Sequence, residues 1–295
     1  MDQIENTVQS GGIKCLDVTK VAVGINSDVM DFITIEEPLE IRLIYGSTKD
    51  QITKTISITM RTPGDDPELA SGFLFTEGII TDEASIKSIS HHRYSCAAQK
   101  QNIICVELHD GVIPNLGNAE RNFYTTSSCG VCGKSSIQSI RTVSRFCDSQ
   151  AGLSSIDDEI LFGLPNKLRV AQKEFTSSGG IHASGLFNSS GDLIVTMEDV
   201  GRHNALDKLI GYALANHMLP LHENILLLSG RASFELIQKA AMAGIPVVAA
   251  IGAPSSLAVE LAEEFGITLI GFLRNDRFNI YTNKNRLTSV YENKN

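Results

Sequence analysis

The chain lacks the features that mark several large protein classes. Its longest uncharged apolar run, Ala240 to Ala253, is broken by Gly244 and Pro246. It falls short of the roughly 20 residues that a membrane-spanning helix needs, and reads as buried helix, turn and buried strand. The opening MDQIENTVQSGGIK is polar and partly acidic, with no charged segment leading into an apolar one, so a cytoplasmic protein is expected. Basic residues are scarce: 25 Lys and Arg stand against 34 Asp and Glu, a formal net charge of -9. Nucleic acids and anionic membranes demand a face rich in Lys and Arg, so neither is expected as a partner, which leaves room only for a local basic pocket. Cysteines are few, six and irregularly spaced, which excludes a secreted disulfide scaffold. No internal repeat, heptad array or low-complexity tract breaks the pattern beyond the polar ends.

What is present is a folding chain. Hydrophobic residues make up 42% and charged residues 20%, close to the soluble average. The 295 residues suffice for two modest domains. Residues 1–30 mix Gly, Ser, Asp and Asn without a clear period and are expected as a flexible arm. Alternation over Leu39 to Leu43 and Ile52 to Met60 predicts half-buried strands. A helix is expected over Glu68 to Thr76, with Pro67 suited to its first position. A strand at Ile103 to Leu108 completes a small α+β domain, residues 31–122.

From Phe123 the texture changes to glycine-punctuated apolar runs that alternate with helical segments, the pattern of an α/β domain spanning residues 123–285. Strand Ile225 to Ser229, helix Ser233 to Ala243, strand Val247 to Ile251, helix Ser255 to Phe265 and strand Ile267 to Phe272 form a βαβαβ series with parallel crossovers. Residues 286–295 read as a polar tail.

TTSSCGVCGK places Cys129 and Cys132 three positions apart among small polar residues. Four readings compete. A structural zinc needs four ligands, and the remaining cysteines and histidines are scattered singly. A redox pair should follow a strand and open a helix, a place Lys134 to Arg145 would fill, but the surrounding glycines suggest a mobile loop. Two inert buried thiols fit poorly among Thr, Ser, Gly and Lys. A persulfide carrier, with a thiolate that takes a sulfane sulfur from one partner and presents it to another, suits a glycine-bracketed loop with Lys134 beside it. Spacing alone does not choose. Zinc deaminases use H-x-E followed by P-C-x-x-C. In this chain Ser184 stands in the glutamate's place after His182 and the CxxC comes first, which argues against deamination.

Three loops fall at the carboxyl ends of the expected parallel strands, where ligands of open α/β sheets bind. They are Ser229 to Ser233 with Arg231, Gly252 to Ser256, and Phe272 to Arg277. Their glycines, hydroxyls and arginines suit a large phosphorylated ligand, although each loop by itself reads equally well as an ordinary turn. A fourth segment, Glu198 to Asn204, carries Arg202 and His203 at a strand-to-helix junction, where helix capping is the bland alternative. The roles of Arg231, Arg202 and of the glycine-flanked His182 stay open.

CGVCGK, SSGGIHASGLF, MEDVGRHNALDKLIG, LLLSGRASFELIQKAAMAGIPVVAA and GFLRNDRFNIYT occur in this order. Together they resemble the formate dehydrogenase accessory sulfurtransferase family, FdhD. The resemblance implies a cytoplasmic sulfur carrier that takes sulfur from a cysteine desulfurase. The acceptor is the molybdenum cofactor bis(molybdopterin guanine dinucleotide), before it enters the formate dehydrogenase catalytic subunit. It also implies that Cys129 is the reactive thiol and Cys132 its neighbour. The stretch Phe272, Leu273, Arg274, Asn275, Asp276 and Arg277 matches the family's cofactor-binding segment, toward the guanine nucleotide moiety. A cytidine-deaminase-like larger domain without its zinc, no metal bound directly by the protein, and a homodimer are further implications.

Overall fold

The computed structural model describes residues 12–92, 101–117, 146, 153 and 155–288. The architecture is mixed α and β. In chain order it runs through β1 (Ile13–Ala22), β2 (Ile25–Thr34), β3 (Glu37–Ser47), β4 (Asp50–Arg61), α1 (Asp66–Thr76), β5 (Ile86–His91) and β6 (Ile103–Leu108). It continues with β7 (Ile156–Asp157), α2 (Asp158–Ala171), α3 (Lys173–Ser178), β8 (His182–Phe187), β9 (Leu193–Asp199) and α4 (Arg202–Ala215). The last part holds β10 (Ile225–Leu228), α5 (Phe234–Met242), β11 (Val247–Ala250), α6 (Ser256–Glu264), β12 (Thr268–Gly271), β13 (Asn279–Ile280) and β14 (Leu287–Thr288).

The main sheet has six strands in the order β13-β12-β11-β10-β8-β9. Strands β10, β11 and β12 are parallel, as the βαβαβ pattern predicts, and β8, β9 and β13 run antiparallel to their neighbours. Helices cover both faces, and the chain alternates between them residue by residue. Leu226, Leu228, Val248 and Ala250 join one apolar cluster with α4, α5 and α6. Ile225, Leu227, Val247 and Ala249 join another with Leu161, Leu164 and Leu168 of α2. Such two-sided burial is why these strands read as continuous apolar runs.

A second sheet, β4-β3-β6-β5, belongs to the first third of the chain. Its inward residues Leu39, Ile41, Leu43, Ile104 and Val106 share the first cluster with Leu206, Leu209 and Ile210 of α4. One apolar core therefore continues from the smaller sheet into the larger. The seam is the crossing of α1 on α4. A Cβ added to Gly72 would lie 1.9 Å from Asp207 O, and one added to Gly211 would lie 1.9 Å from Glu68 O. Two backbones touch at this point because neither helix carries a side chain there. Helix α1 starts as expected, with Pro67 in its first turn and Asp66 and Glu68 beside the positive end of the helix dipole.

The flexible arm expected over residues 1–30 is corrected from Ile13 on, where β1 and β2 form an antiparallel hairpin. Its turn is Val23-Gly24, with Gly24 at φ 78°, a left-handed conformation that glycine adopts freely. The cause of the misreading is physical: most residues of β1 and β2 are exposed on both faces. Neither face is buried, so no alternation marks the strands.

Candidate functional site

The three loops expected at the strand ends meet in space. Gly252 N donates to Gly230 O at 2.9 Å, Phe272 N donates to Gly252 O at 3.1 Å, and Ser255 N donates to Ala232 O at 3.0 Å. Gly252 is needed for this approach, because a Cβ there would lie 2.9 Å from Arg231 Cγ and 3.0 Å from Gly230 O. The rim of the sheet is thus a single laced surface.

On that surface the segment Phe272 to Arg277 is mostly turned outward. Phe272 has φ 52°, a left-handed backbone unusual for a bulky residue, and its ring is exposed. Leu273 points the other way and is fully buried, so its side chain anchors the loop in the core. Arg274 NH1 donates to Ile251 O at 2.7 Å and to Leu273 O at 2.8 Å, and Arg274 N donates to Arg277 O at 2.8 Å, closing the turn. Asn275 Nδ2 donates to Asn166 Oδ1 of α2 at 3.1 Å. Arg277 and Asp276 form an exposed pair at 3.5 Å. Arg231 is exposed on the neighbouring loop.

Beside the rim lies a cavity of roughly 550 Å³. Leu168, Arg169, Phe175, His182, Ser229 and Ile251 are among the residues that line it. The Arg169 guanidinium stacks over the Phe175 ring, 4.3 Å from its centroid. Ile251 belongs to both features, because it lines the cavity while its carbonyl accepts from Arg274. His182 opens β8, and a Cβ added to Gly230 would lie 3.3 Å from its Nδ1. Burial first, then the neighbouring Arg202 and His203, holds its imidazole below the ordinary value. Sequence reasoning flagged His182 but missed Arg169 and Phe175. They sit on helices whose apolar spacing shows only packing, and no local motif announces them.

The fourth segment divides into two jobs. Glu198 accepts from Glu174 N and Phe175 N, both at 3.0 Å, and so tethers α3. Asp199 is fully buried, 2.9 Å from Lys208 Nζ, and it accepts from Thr62 N, Gly201 N and Asn204 Nδ2. Burial raises its pKa above the usual carboxylate range, while Lys208 pulls it back down. Lys208 also donates to Thr62 O at 3.0 Å. These groups tie β4, β9 and α4 together. Only Arg202 and His203 remain toward the rim, where His203 Nε2 lies 2.9 Å from Glu235 Oε2 and 3.3 Å from Ser233 Oγ. The hydrogen bond from His203 lowers the Glu235 pKa.

Cys129 and Cys132 lie outside the described residues, as does the helix expected over Lys134 to Arg145. Among the described residues Cys15 and Cys105 are free thiols, and no cluster of three or more His, Cys, Asp and Glu is placed to hold a metal ion. Burial raises the Cys105 thiol above its ordinary value, which disfavours its reactive thiolate. No described helix is long and apolar enough to cross a membrane.

Known proteins resemble this chain along nearly its whole length. The sulfur carrier protein FdhD of Mycolicibacterium paratuberculosis is 50% identical over 276 residues, covering 92% of this chain and 97% of that protein. That of Streptomyces coelicolor is 47% identical, covering 92% and 94%. That of Picrophilus torridus is 42% identical, covering 92% and 98%. A crystal structure of a protein from Desulfotalea psychrophila, assigned as a formate dehydrogenase accessory protein, shares the fold with a TM-score of 0.69 at 23% identity. It covers 94% of this chain and 100% of that one. The model of the FdhD/NarQ family matches residues 35–288. On the strength of that match and of relatives aligned over nearly their whole length, the chain belongs to the FdhD/NarQ family.

Proposed function

We propose that this chain is a sulfurtransferase that carries sulfur as a persulfide on Cys129. The observation that carries the reading is the near full-length match to relatives that are themselves sulfur carrier proteins. The donor is a cysteine desulfurase. The Cys129 thiolate attacks the outer sulfur of the donor's persulfide, the donor's S–S bond breaks, and the donor thiolate leaves. Cys132 then attacks Cys129 Sγ. The outer sulfur departs as hydrosulfide, and the disulfide left between the two cysteines is reduced by a cellular thiol.

The acceptor is bis(molybdopterin guanine dinucleotide) molybdenum cofactor, held as a substrate on its way into the formate dehydrogenase catalytic subunit. The guanine nucleotide moiety meets Phe272, Arg274, Asn275, Asp276 and Arg277, with Leu273 as the buried anchor. Support for that assignment is the exposed arginine rim and the cavity that opens against it at Ile251. Arginines suit this task because their planar fork pairs bidentately with phosphate oxygens. The reading includes a cytoplasmic homodimer and a cytidine-deaminase-like larger domain. The six-stranded sheet covered by helices on both faces supports the latter.

Mass spectrometry after incubation with a cysteine desulfurase and cysteine tests the proposal. A gain of about 32 Da, one sulfur atom, is expected on the peptide that holds Cys129, and none in Cys129→Ala. Cys129→Ala is also expected to abolish formate dehydrogenase maturation while it leaves the fold intact. A chain that binds guanine nucleotide but never gains sulfur would instead be a cofactor-binding chaperone.

A further inference from the structure

The β1–β2 hairpin stands outside the family core of residues 35–288 and has little to hold it. Its strands pair with each other and with no other strand among the described residues. At its foot, Ile35 N donates to Gly12 O at 2.7 Å and the Thr34 and Ser178 hydroxyls meet at 2.8 Å. An isolated two-stranded ribbon is at best marginal in water, and a free strand edge is a template for another strand.

The hydrogen-bond phase of the ladder fixes which residues that edge offers. Gly12 and Ile35 lie one step beyond the Ile13–Thr34 pair and are hydrogen-bonded. In an antiparallel ladder such pairs alternate, so Val18–Val29, Lys20–Ser27 and Ala22–Ile25 direct their backbone groups inward. Asn26, Asp28, Met30, Phe32 and Thr34 direct theirs to the outer edge of β2. Phe32 N–H agrees with this phase, since it donates to its neighbour Asp31 Oδ1 at 2.9 Å and not to β1.

The β-branched side chains on one face of β2 are placed symmetrically about Val29. Ile25, Val29 and Ile33 share one face at equal spacing and are 68%, 37% and 41% exposed. We propose that the outer edge of β2 pairs antiparallel with the same edge of a second copy, about a two-fold axis at Val29. The two hairpins then become one four-stranded sheet. In this register Ile25 lies opposite the other copy's Ile33, and Val29 lies opposite itself. Asp28 pairs with Met30 and Asn26 with Phe32, so every outward N–H and C=O of these four residues is used, about eight backbone bonds in all. The valine pair Val18–Val29 extends across the axis as a row of four β-branched side chains.

Charge selects the register. Moving the axis to Asp28 or to Asp31 sets a carboxylate against its own copy, and moving it to Met30 sets Val29 against Asp31. Among the axes from Asp28 to Asp31, the one at Val29 alone keeps Ile25, Val29 and Ile33 in a single row with no carboxylates opposed. The contact is self-complementary, as a two-fold interface must be.

This inference supplies the interface for the homodimer proposed above, and its readout is mass, so it stands or falls apart from sulfur loading. Met30→Pro removes an outward N–H while Met30 makes no ladder bond to β1, so the hairpin survives. Light scattering on the full chain is expected to give a dimer for the wild type and a monomer for Met30→Pro with an unchanged circular dichroism spectrum. Val29→Cys, which puts two thiols face to face on the axis, is expected to form a disulfide-linked dimer under mild oxidation that the wild type does not form. A monomeric wild type, a dimeric Met30→Pro, or Val29→Cys with no cross-link overturns the proposal.

Discussion

The charged groups around Lys208 and those around Arg274 are drawn from the same side-chain classes and put to opposite uses. Lys208 and Asp199 are 1% and 0% exposed and meet at 2.9 Å, with backbone groups of Thr62, just past β4, and of Glu198 in β9 among their other partners. Arg277 and Asp276 are 73% and 71% exposed and meet at 3.5 Å. The first pair is a knot: its charges are consumed by the fold and offer nothing to a ligand. The second is worth little to stability, as exposed pairs are, and its guanidinium is open to an incoming anion. Ionisable density in a sequence therefore does not by itself mark a site; what matters is whether the fold has already used the charges.

That contrast is sharpest under substitution. Lys208→Met leaves Asp199 buried without its cation and is expected to cost about 3–5 kcal/mol of unfolding free energy, read by urea denaturation. A loss below about 1 kcal/mol would mean that the pair is dispensable and that the segment Glu198 to Asn204 is freer for function than described. Next in size, Arg277→Ala is expected to weaken guanine-nucleotide binding by about 1.5–3 kcal/mol, roughly tenfold to a hundredfold in Kd, with unfolding unchanged. Calorimetric titration at moderate salt measures this. An unchanged Kd would move the nucleotide away from the rim.

The smallest effect expected is at His182, which lies between the two regions. Its folded pKa is held below the ordinary 6.5 by burial first and then by Arg202 and His203. The unfolded chain takes up a proton near that pH and the folded one resists it, so stability falls as the pH drops through 6.5. His182→Asn is expected to flatten the difference in unfolding free energy between pH 7.5 and pH 5.5. An unaltered pH dependence would show that the imidazole takes up its proton as readily in the folded chain as in the unfolded one.

Much of this could be read before the structure. The βαβαβ series was legible because β10, β11 and β12 are buried on both faces, which leaves uninterrupted apolar runs between short turns. The three rim loops followed from the rule for strand ends. The hairpin was not legible, because residues exposed on both faces carry no alternation. Nor could the Arg169–Phe175 stack be found, since helix spacing reports which face is buried and not what a side chain does at its tip. Within the segment Phe272 to Arg277, the inward turn of Leu273 was hidden by the left-handed backbone of Phe272, which breaks the period just where the strand ends. Nor does the sequence show what Asp199 does: Gly201 is the N-cap of α4, with no side-chain cap bond, and the main partner of Asp199, Lys208, lies nine positions along the chain.

The glycine crossing of α1 on α4 has a mechanical consequence. Where backbone rests on backbone at Gly72 and Gly211, no side chain lies between the helices to be squeezed, rotated or exchanged. A sliding joint needs such a cushion. The smaller sheet and the larger one are accordingly geared as a single block, and whatever gives way when a bulky passenger arrives must do so in the loops at the margin.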